Sequence, residues 1–195
     1  GTSKRRCTSA VQQGKQYKFW KYALYGHKRK GVFYPLQSFS THQKLRWENI
    51  PICLEAKSKT DLDLLENLAL QLCTEVHFIT AEQRLYLHTA AVFANNFCNH
   101  LLGISQQLTS NAALPHALLH PIIKETLSHS LQSDAVKHQT GPAKRNDIKT
   151  QSKHIDILTA EDATLYRALS QSIYKTHNKW VTKKSLGTSP LLFLM

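Results

Sequence analysis

The run Thr80-Ala-Glu-Gln83-Arg84-Leu-Tyr-Leu-His88-Thr-Ala-Ala-Val-Phe-Ala-Asn95-Asn-Phe-Cys-Asn99-His-Leu101 decides how this chain of 195 residues is read. Thr80 and Gln83 have the spacing of a capping box, in which each side chain satisfies a backbone N–H left over at a helix start. Nothing after them breaks a helix: there is no Pro, and the first Gly is Gly103, so the helix is expected to run to about Leu108. At about 100° per residue and with Arg84 at zero, His88 falls at about 40°, Asn95 at about 20°, Asn99 at about 60° and Ala91 at about 340°. The rest of the circumference is largely apolar (Leu85, Leu87, Val92, Phe93, Phe97, Leu101). A helix apolar nearly all round is expected to be buried. Its single polar line must then meet a ligand, water or other side chains.

Two readings of that line stay open. In one it faces a cleft, with His88 as a candidate acid/base and the amides of Asn95 and Asn99 holding a carbonyl or hydroxyl. In the other it is a hydrogen-bond network that orients helix packing, as in a non-catalytic helical dimer.

Working outward, Pro51-Ile-Cys-Leu-Glu-Ala56 and Glu75-Val-His-Phe-Ile79 read as short strands, with a helix over 59–72 between them. Strand, helix, strand at this spacing is a crossover unit of a parallel or mixed sheet. Gly31-Val-Phe-Tyr-Pro-Leu-Gln-Ser-Phe-Ser40 begins as another strand and is broken by Pro35. Gln37 and Ser40, with Ser38, at that strand's end are candidates for the mouth of a nucleotide-binding cleft. Residues 114–131 read as helix interrupted at Pro121, Asp147 caps a further helix, and Thr159-Ala-Glu-Asp162 opens the last. Residues 1–30 read as a basic, poorly ordered leader and residues 177–195 as a basic, unstructured tail.

The net charge of +12 resides at the two ends. Residues 1–30 carry nine cations and residues 175–195 four, with no acid in either, whereas residues 31–174 are one charge short of neutral. A nucleic-acid-binding domain puts its positive charge on a folded face, so this pattern argues against that class. No run approaches the roughly 20 apolar residues of a membrane-spanning helix. The four cysteines stand singly, which suits a reducing cytoplasm and excludes a CxxC-type zinc site. His116 and His120 have i, i+4 chelating spacing but no third ligand follows, so no metal site is expected. No GxGxxG or GxxxxGK[ST] turn occurs. Thr140-Gly-Pro-Ala-Lys-Arg-Asn-Asp147 is a loop whose Thr140, Gly141, Arg145 and Asp147 either contact a ligand or simply pin the loop and cap the next helix.

Those segments together resemble one bacterial family. It pairs a Rossmann-like domain with a C-terminal domain of unknown function, is labelled NADP oxidoreductase, and is similar to deazaflavin-dependent NADP oxidoreductases and pyrroline-carboxylate reductases. The resemblance runs over about residues 31–176 and rests on Gly31 to Ser40, Pro51 to Ala56, Glu82 to Arg84, His88 to Asn99 and Thr140 to Asp147. It implies a mainly α chain: a helical domain over 81–176, like the C-terminal part of 6-phosphogluconate dehydrogenase, preceded at 31–80 by residual strands and one helix of a truncated Rossmann-like sheet. It further implies a homodimer and a small-molecule substrate held by Arg84, Asn99, Thr140, Gly141, Arg145 and Asp147, with His88 and Asn95 at the reacting group. NADP or NAD would bind only together with the glycine-rich part, which these residues do not include.

Overall fold

The computed structural model describes residues 29–39 and 45–185, with side chains as far as Asn178. Most of the expected leader, Ser40 and the last ten residues of the expected tail lie outside the described residues. The chain divides into two units, Gly1–Ala94 and Asn95–Met195, and the fold is mainly α with one small sheet.

The first unit is built on a buried strand. Strand β2 (Ile52–Ala56) lies between β1 (Gly31–Pro35) and β3 (Val76–Phe78), antiparallel to the first and parallel to the second. The parallel pair is connected by helix α1 (Lys59–Ala69), which makes the expected crossover unit and a mixed sheet. Ser58 starts α1 by accepting a hydrogen bond from the Asp61 amide at 3.1 Å. Pro35, with no N–H to give a ladder, is the last residue of β1 to pair.

Because strand side chains alternate, β2 presents two different faces. Ile52 and Leu54 point one way and are fully buried with Ala69 and Cys73, against Phe33, Leu62, Leu65, Leu72 and Val76. This small cluster is the core of the unit. Gly31 shows how tightly α1 sits on it: a Cβ there would fall 2.6 Å from Leu65 Cδ1 and 3.2 Å from the Glu55 carbonyl oxygen.

Helix α2 (Ala81–Ala91) opens with the expected capping box, Thr80 accepting from the Gln83 amide at 3.1 Å and Gln83 from the Thr80 amide at 2.9 Å. Its continuation is not a uniform α-helix. Residues Val92–Phe97 form a π-helical turn before α3 (Cys98–Asn111) resumes. A wheel drawn at one constant angle therefore holds only within α2, because a π turn advances by a smaller angle per residue.

In the second unit a 3₁₀ turn at His116–Leu119 leads into α4 (His120–Gln132). Pro121 sits in the first turn of α4, where its missing N–H costs nothing. It therefore helps to start a helix rather than interrupting one. Asp147 caps α5 (Ile148–Ile155), and Thr159 accepts from the Asp162 amide to start α6 (Ala160–Ser185). The expected tail is thus helical as far as Ser185; residues 177–185 contain neither Gly nor Pro, and the first breaker is Gly187.

The burial expected of the long apolar helix is not met within this single chain. Leu85 and Tyr86 are 66% and 71% exposed. The second unit buries only Ala143, Ala163 and Ser170 among its described residues, and leaves Leu118, Ile122, Leu131 and Ile157 open. No helix among the described residues is long and apolar enough to cross a membrane.

Candidate functional site

The second face of β2 carries the chemistry. Cys53 and Glu55 point away from the core, and the register sets Tyr34 opposite Cys53 and Val32 opposite Glu55. Tyr34, Cys53 and Glu55 therefore share one side of the sheet, which α2 meets with residues one turn apart. Arg84 pairs with the Glu55 carboxylate. One turn on, His88 Nδ1 lies 3.2 Å from the Tyr34 hydroxyl, the rings edge to face with centroids 6.4 Å apart. The i, i+4 spacing of Arg84 and His88 puts both on one stripe of the helix, and the i, i+2 spacing of Cys53 and Glu55 does the same on the strand.

The charge state of this face follows from its burial. Burial pushes the Tyr34 phenol above its ordinary pKa, the neighbouring Cys53 adds to that, and the Arg84 guanidinium opposes it. Burial likewise raises the Cys53 thiol, with the Glu75 carboxylate adding to it. At neutral pH Tyr34 is thus a phenol and Cys53 a thiol, so neither is an anionic nucleophile. Arg84 and Glu55 cancel each other's charge. On β3 beside Cys53, His77 pairs with Glu75 at 2.8 Å, so the charged groups described on this face are paired, and the imidazole of His88 is exposed. It can donate or accept a hydrogen bond and exchange a proton.

Of the residues expected from sequence, Arg84 and His88 are thus brought together in the first unit. Tyr34 and Glu55, which complete the group, were not foreseen. Gln37 lies just past β1, exposed, with its Oε1 accepting from the Ser38 amide at 2.8 Å. Ser40 lies outside the described residues, and the remaining expected residues belong to the second unit. Asn95 is in the π turn, its amide 3.4 Å from Asn96 Oδ1, and Asn99 is exposed in the first turn of α3.

The loop from Thr140 to Asp147 is held by its own backbone geometry. Gly141 takes φ +98° and Asn146 φ +55°, both in the left-handed region that Gly and Asn tolerate. Lys144 Nζ donates to the Gln139 carbonyl at 2.7 Å. Asp147 accepts from the Thr150 amide at 3.0 Å and its hydroxyl at 2.7 Å. Those hydrogen bonds, helped by Arg145 and His154, hold the Asp147 carboxyl below its usual value. Asp147 is therefore a helix cap, and Arg145 is exposed nearby.

Further histidines of this unit are tied to hydroxyls: His154 to Tyr166 at 2.9 Å, His116 to Ser105 at 3.1 Å, and His138 to Ser133 at 2.6 Å. No cluster of three or more His, Cys, Asp or Glu side chains suited to a metal exists among the described residues.

Among the described residues, no turn fits the phosphates of a dinucleotide. The described glycines, Gly31, Gly103 and Gly141, stand far apart in sequence, and Gly31 is occupied by packing against Leu65. A phosphate-cradling turn needs closely spaced glycines at a helix start.

Residues 50–173 match the family described as Domain of unknown function (DUF2520). Among solved structures, the chain is similar to the putative NADP oxidoreductase BF3122 from Bacteroides fragilis, with 35% identity and a TM-score of 0.71 over 81% of this chain and 61% of that one. It shares its fold with protein TM1727 from Thermotoga maritima, at 21% identity and a TM-score of 0.59 over 76% of this chain and 62% of the other. No curated protein matches the sequence. The chain thus spans about three-fifths of the length of the two structures it matches. The sheet with its crossover helix, the helical second unit and the matched segment together place this chain in the DUF2520 family of Rossmann-like, NADP-oxidoreductase-related proteins.

Proposed function

We propose that this chain is the substrate-binding and dimerisation portion of an NAD(P)-dependent oxidoreductase, inactive without a glycine-rich nucleotide-binding part. The observation that carries the proposal is the exposed His88 ring, anchored by Tyr34 beside an internally neutralised Arg84–Glu55 pair. An imidazole held at one nitrogen and open at the other is suited to exchange a proton with a substrate. NADP enters through the Bacteroides fragilis relative, which carries that cofactor in its name. In this reading Arg84 stands beside the reacting group in the first unit, and Asn95, Asn99, Thr140, Gly141 and Arg145 are candidates for substrate contact in the second. Asp147 caps the helix after the Thr140–Asp147 loop, and Gln37 and Ser40 are the candidates for cofactor contact.

The homodimer in this proposal is supported by the second unit, whose described residues Leu118, Ile122, Leu131 and Ile157 are exposed. Burying these side chains against a second copy would remove their apolar surface from water. Sedimentation velocity is expected to show a dimer throughout the micromolar range, and a monomer there would remove this part. The free, buried thiols of Cys53 and Cys73 suit a reducing cytoplasm.

Calorimetry with NADPH is expected to show no binding to this chain and binding to the longer Bacteroides fragilis protein. A chimera carrying residues 31–185 in place of that protein's matching segment should bind NADPH and oxidise it with some member of a panel of aldehydes and ketones. His88→Ala in the chimera is expected to keep NADPH binding and lose about a hundredfold or more of that turnover. Unchanged turnover would favour the second reading, a helical dimer whose polar residues are structural.

A further inference from the structure

The bond between Tyr34 and His88 has a direction, and that direction decides what the open side of the imidazole offers. His88 Nδ1 is 3.2 Å from the hydroxyl, and Nε2 has no hydrogen-bond partner among the described residues. A neutral imidazole carries one N–H and one bare nitrogen, and the bond made by one fixes the character of the other. Tyr34 is half-buried and keeps its proton, and His88 Nδ1 is the one hydrogen-bond partner of its hydroxyl among the described residues, so the phenol donates and Nδ1 accepts. The ring proton then resides on Nε2, at the exposed edge.

Around it, among the described residues, the charged groups of this face are paired with one another, Arg84 with Glu55 and His77 with Glu75, while Tyr34 and Cys53 are neutral. We infer that Tyr34 is a positioning residue that fixes His88 as a hydrogen-bond donor at Nε2, so that this face takes an uncharged ligand through an acceptor oxygen, the carbonyl of an aldehyde or ketone, in preference to a carboxylate. This deepens the oxidoreductase reading by naming its substrate class and rests on that reading for the word substrate alone. The tautomer and the ligand preference stand or fall without it.

The test is ¹⁵N NMR of the full chain, read at a pH where the imidazole is neutral. In the wild type, His88 Nδ1 is expected to resonate as a bare, pyridine-like nitrogen and Nε2 as a protonated one. Free imidazole side chains already lean toward this form, so the decisive reading is the change in Tyr34→Phe, which keeps the ring and removes only the hydroxyl. The ratio of the two tautomers should fall about fivefold, the effect of one ordinary hydrogen bond. Unchanged methyl shifts at Ile52 and Leu54 would show that the core is intact. Identical His88 shifts in the two proteins, or a proton on Nδ1 in the wild type, overturns the positioning role.

Cyclohexanone and cyclohexanecarboxylate are then titrated as probes. The ketone is expected to move the Nε2 signal more than the carboxylate does, and Glu55→Gln, which frees Arg84, should reverse that order. A carboxylate that dominates in the wild type, or two probes that leave His88 unmoved, overturns the ligand assignment. Failure of the chimera to oxidise NADPH would sink the oxidoreductase reading and leave these spectra unaffected.

Discussion

Removing Arg84 or Glu55 separately and together measures how much the neutral face depends on their pairing. Each side chain keeps about a third of its surface in water, at 31% and 30% exposed. Exposed pairs are worth about 0–1 kcal/mol, and breaking a fully buried pair costs about 3–5 kcal/mol because one charge is left stranded. An intermediate site should lie between these limits, so Arg84→Met and Glu55→Gln are each expected to cost about 2 kcal/mol. The double variant should cost little more than either alone, leaving a coupling of about 1–2 kcal/mol.

The readout should belong to the first unit alone, and the Ile52 amide provides one, because it donates to the Glu75 carbonyl at 3.0 Å inside the buried strand. Native-state hydrogen exchange at that amide reports the opening free energy of the unit. A second readout is the Tyr34 phenol in an alkaline absorbance titration. Arg84 opposes the rise caused by burial, so Arg84→Met must push Tyr34 still higher. A coupling below about 0.3 kcal/mol, within the error of additive sites, or a Tyr34 titration untouched by Arg84→Met would refute the charge balance on which the site rests.

Two further outcomes follow from the caps. Thr80→Ala removes the hydroxyl that accepts from the Gln83 amide and is expected to cost about 1 kcal/mol, read as a lower urea midpoint with unchanged slope. At Asp147 the folded state holds the carboxyl below its ordinary value, so its contribution is present above about pH 4 and lost as pH falls through the lowered folded pKa. Asp147→Asn keeps a capping oxygen without the titration, and amide protection in α5 should then lose most of its acid dependence.

Local signals carried the reading of the helices furthest. The Thr80–Gln83 box, the Asp147 cap and the Thr159 start each lie within four residues of what they bond, and all three formed as spaced. The crossover at 52–78 was legible for the same reason, since two apolar strands flank one amphipathic helix. The π turn at Val92–Phe97 left no such mark: no Gly or Pro announces it, and a wheel of constant angle cannot detect it. Apolar composition also misled about burial, because it says that a surface must be covered without saying that the same chain covers it. Leu85 and Tyr86 are the residues where that difference shows.

Half of the candidate site was visible because Arg84 and His88 are one turn apart, and half was hidden because Tyr34 and Glu55 reach them only through strand register. Yet the hidden half follows from one rule applied to Ile52-Cys-Leu-Glu55. Once Ile52 and Leu54 are assigned to the core, alternation sends Cys53 and Glu55 to the opposite face, and an antiparallel neighbour in the observed register adds Tyr34 beside them. A carboxylate on a half-covered sheet face calls for a cation, and Arg84 supplies it from the covering helix. One turn later that helix delivers His88 to Tyr34. The same alternation that builds the core therefore also assembles the polar face, so a one-residue slip of β1 against β2 would put Phe33 where Tyr34 stands and leave His88 without its anchor.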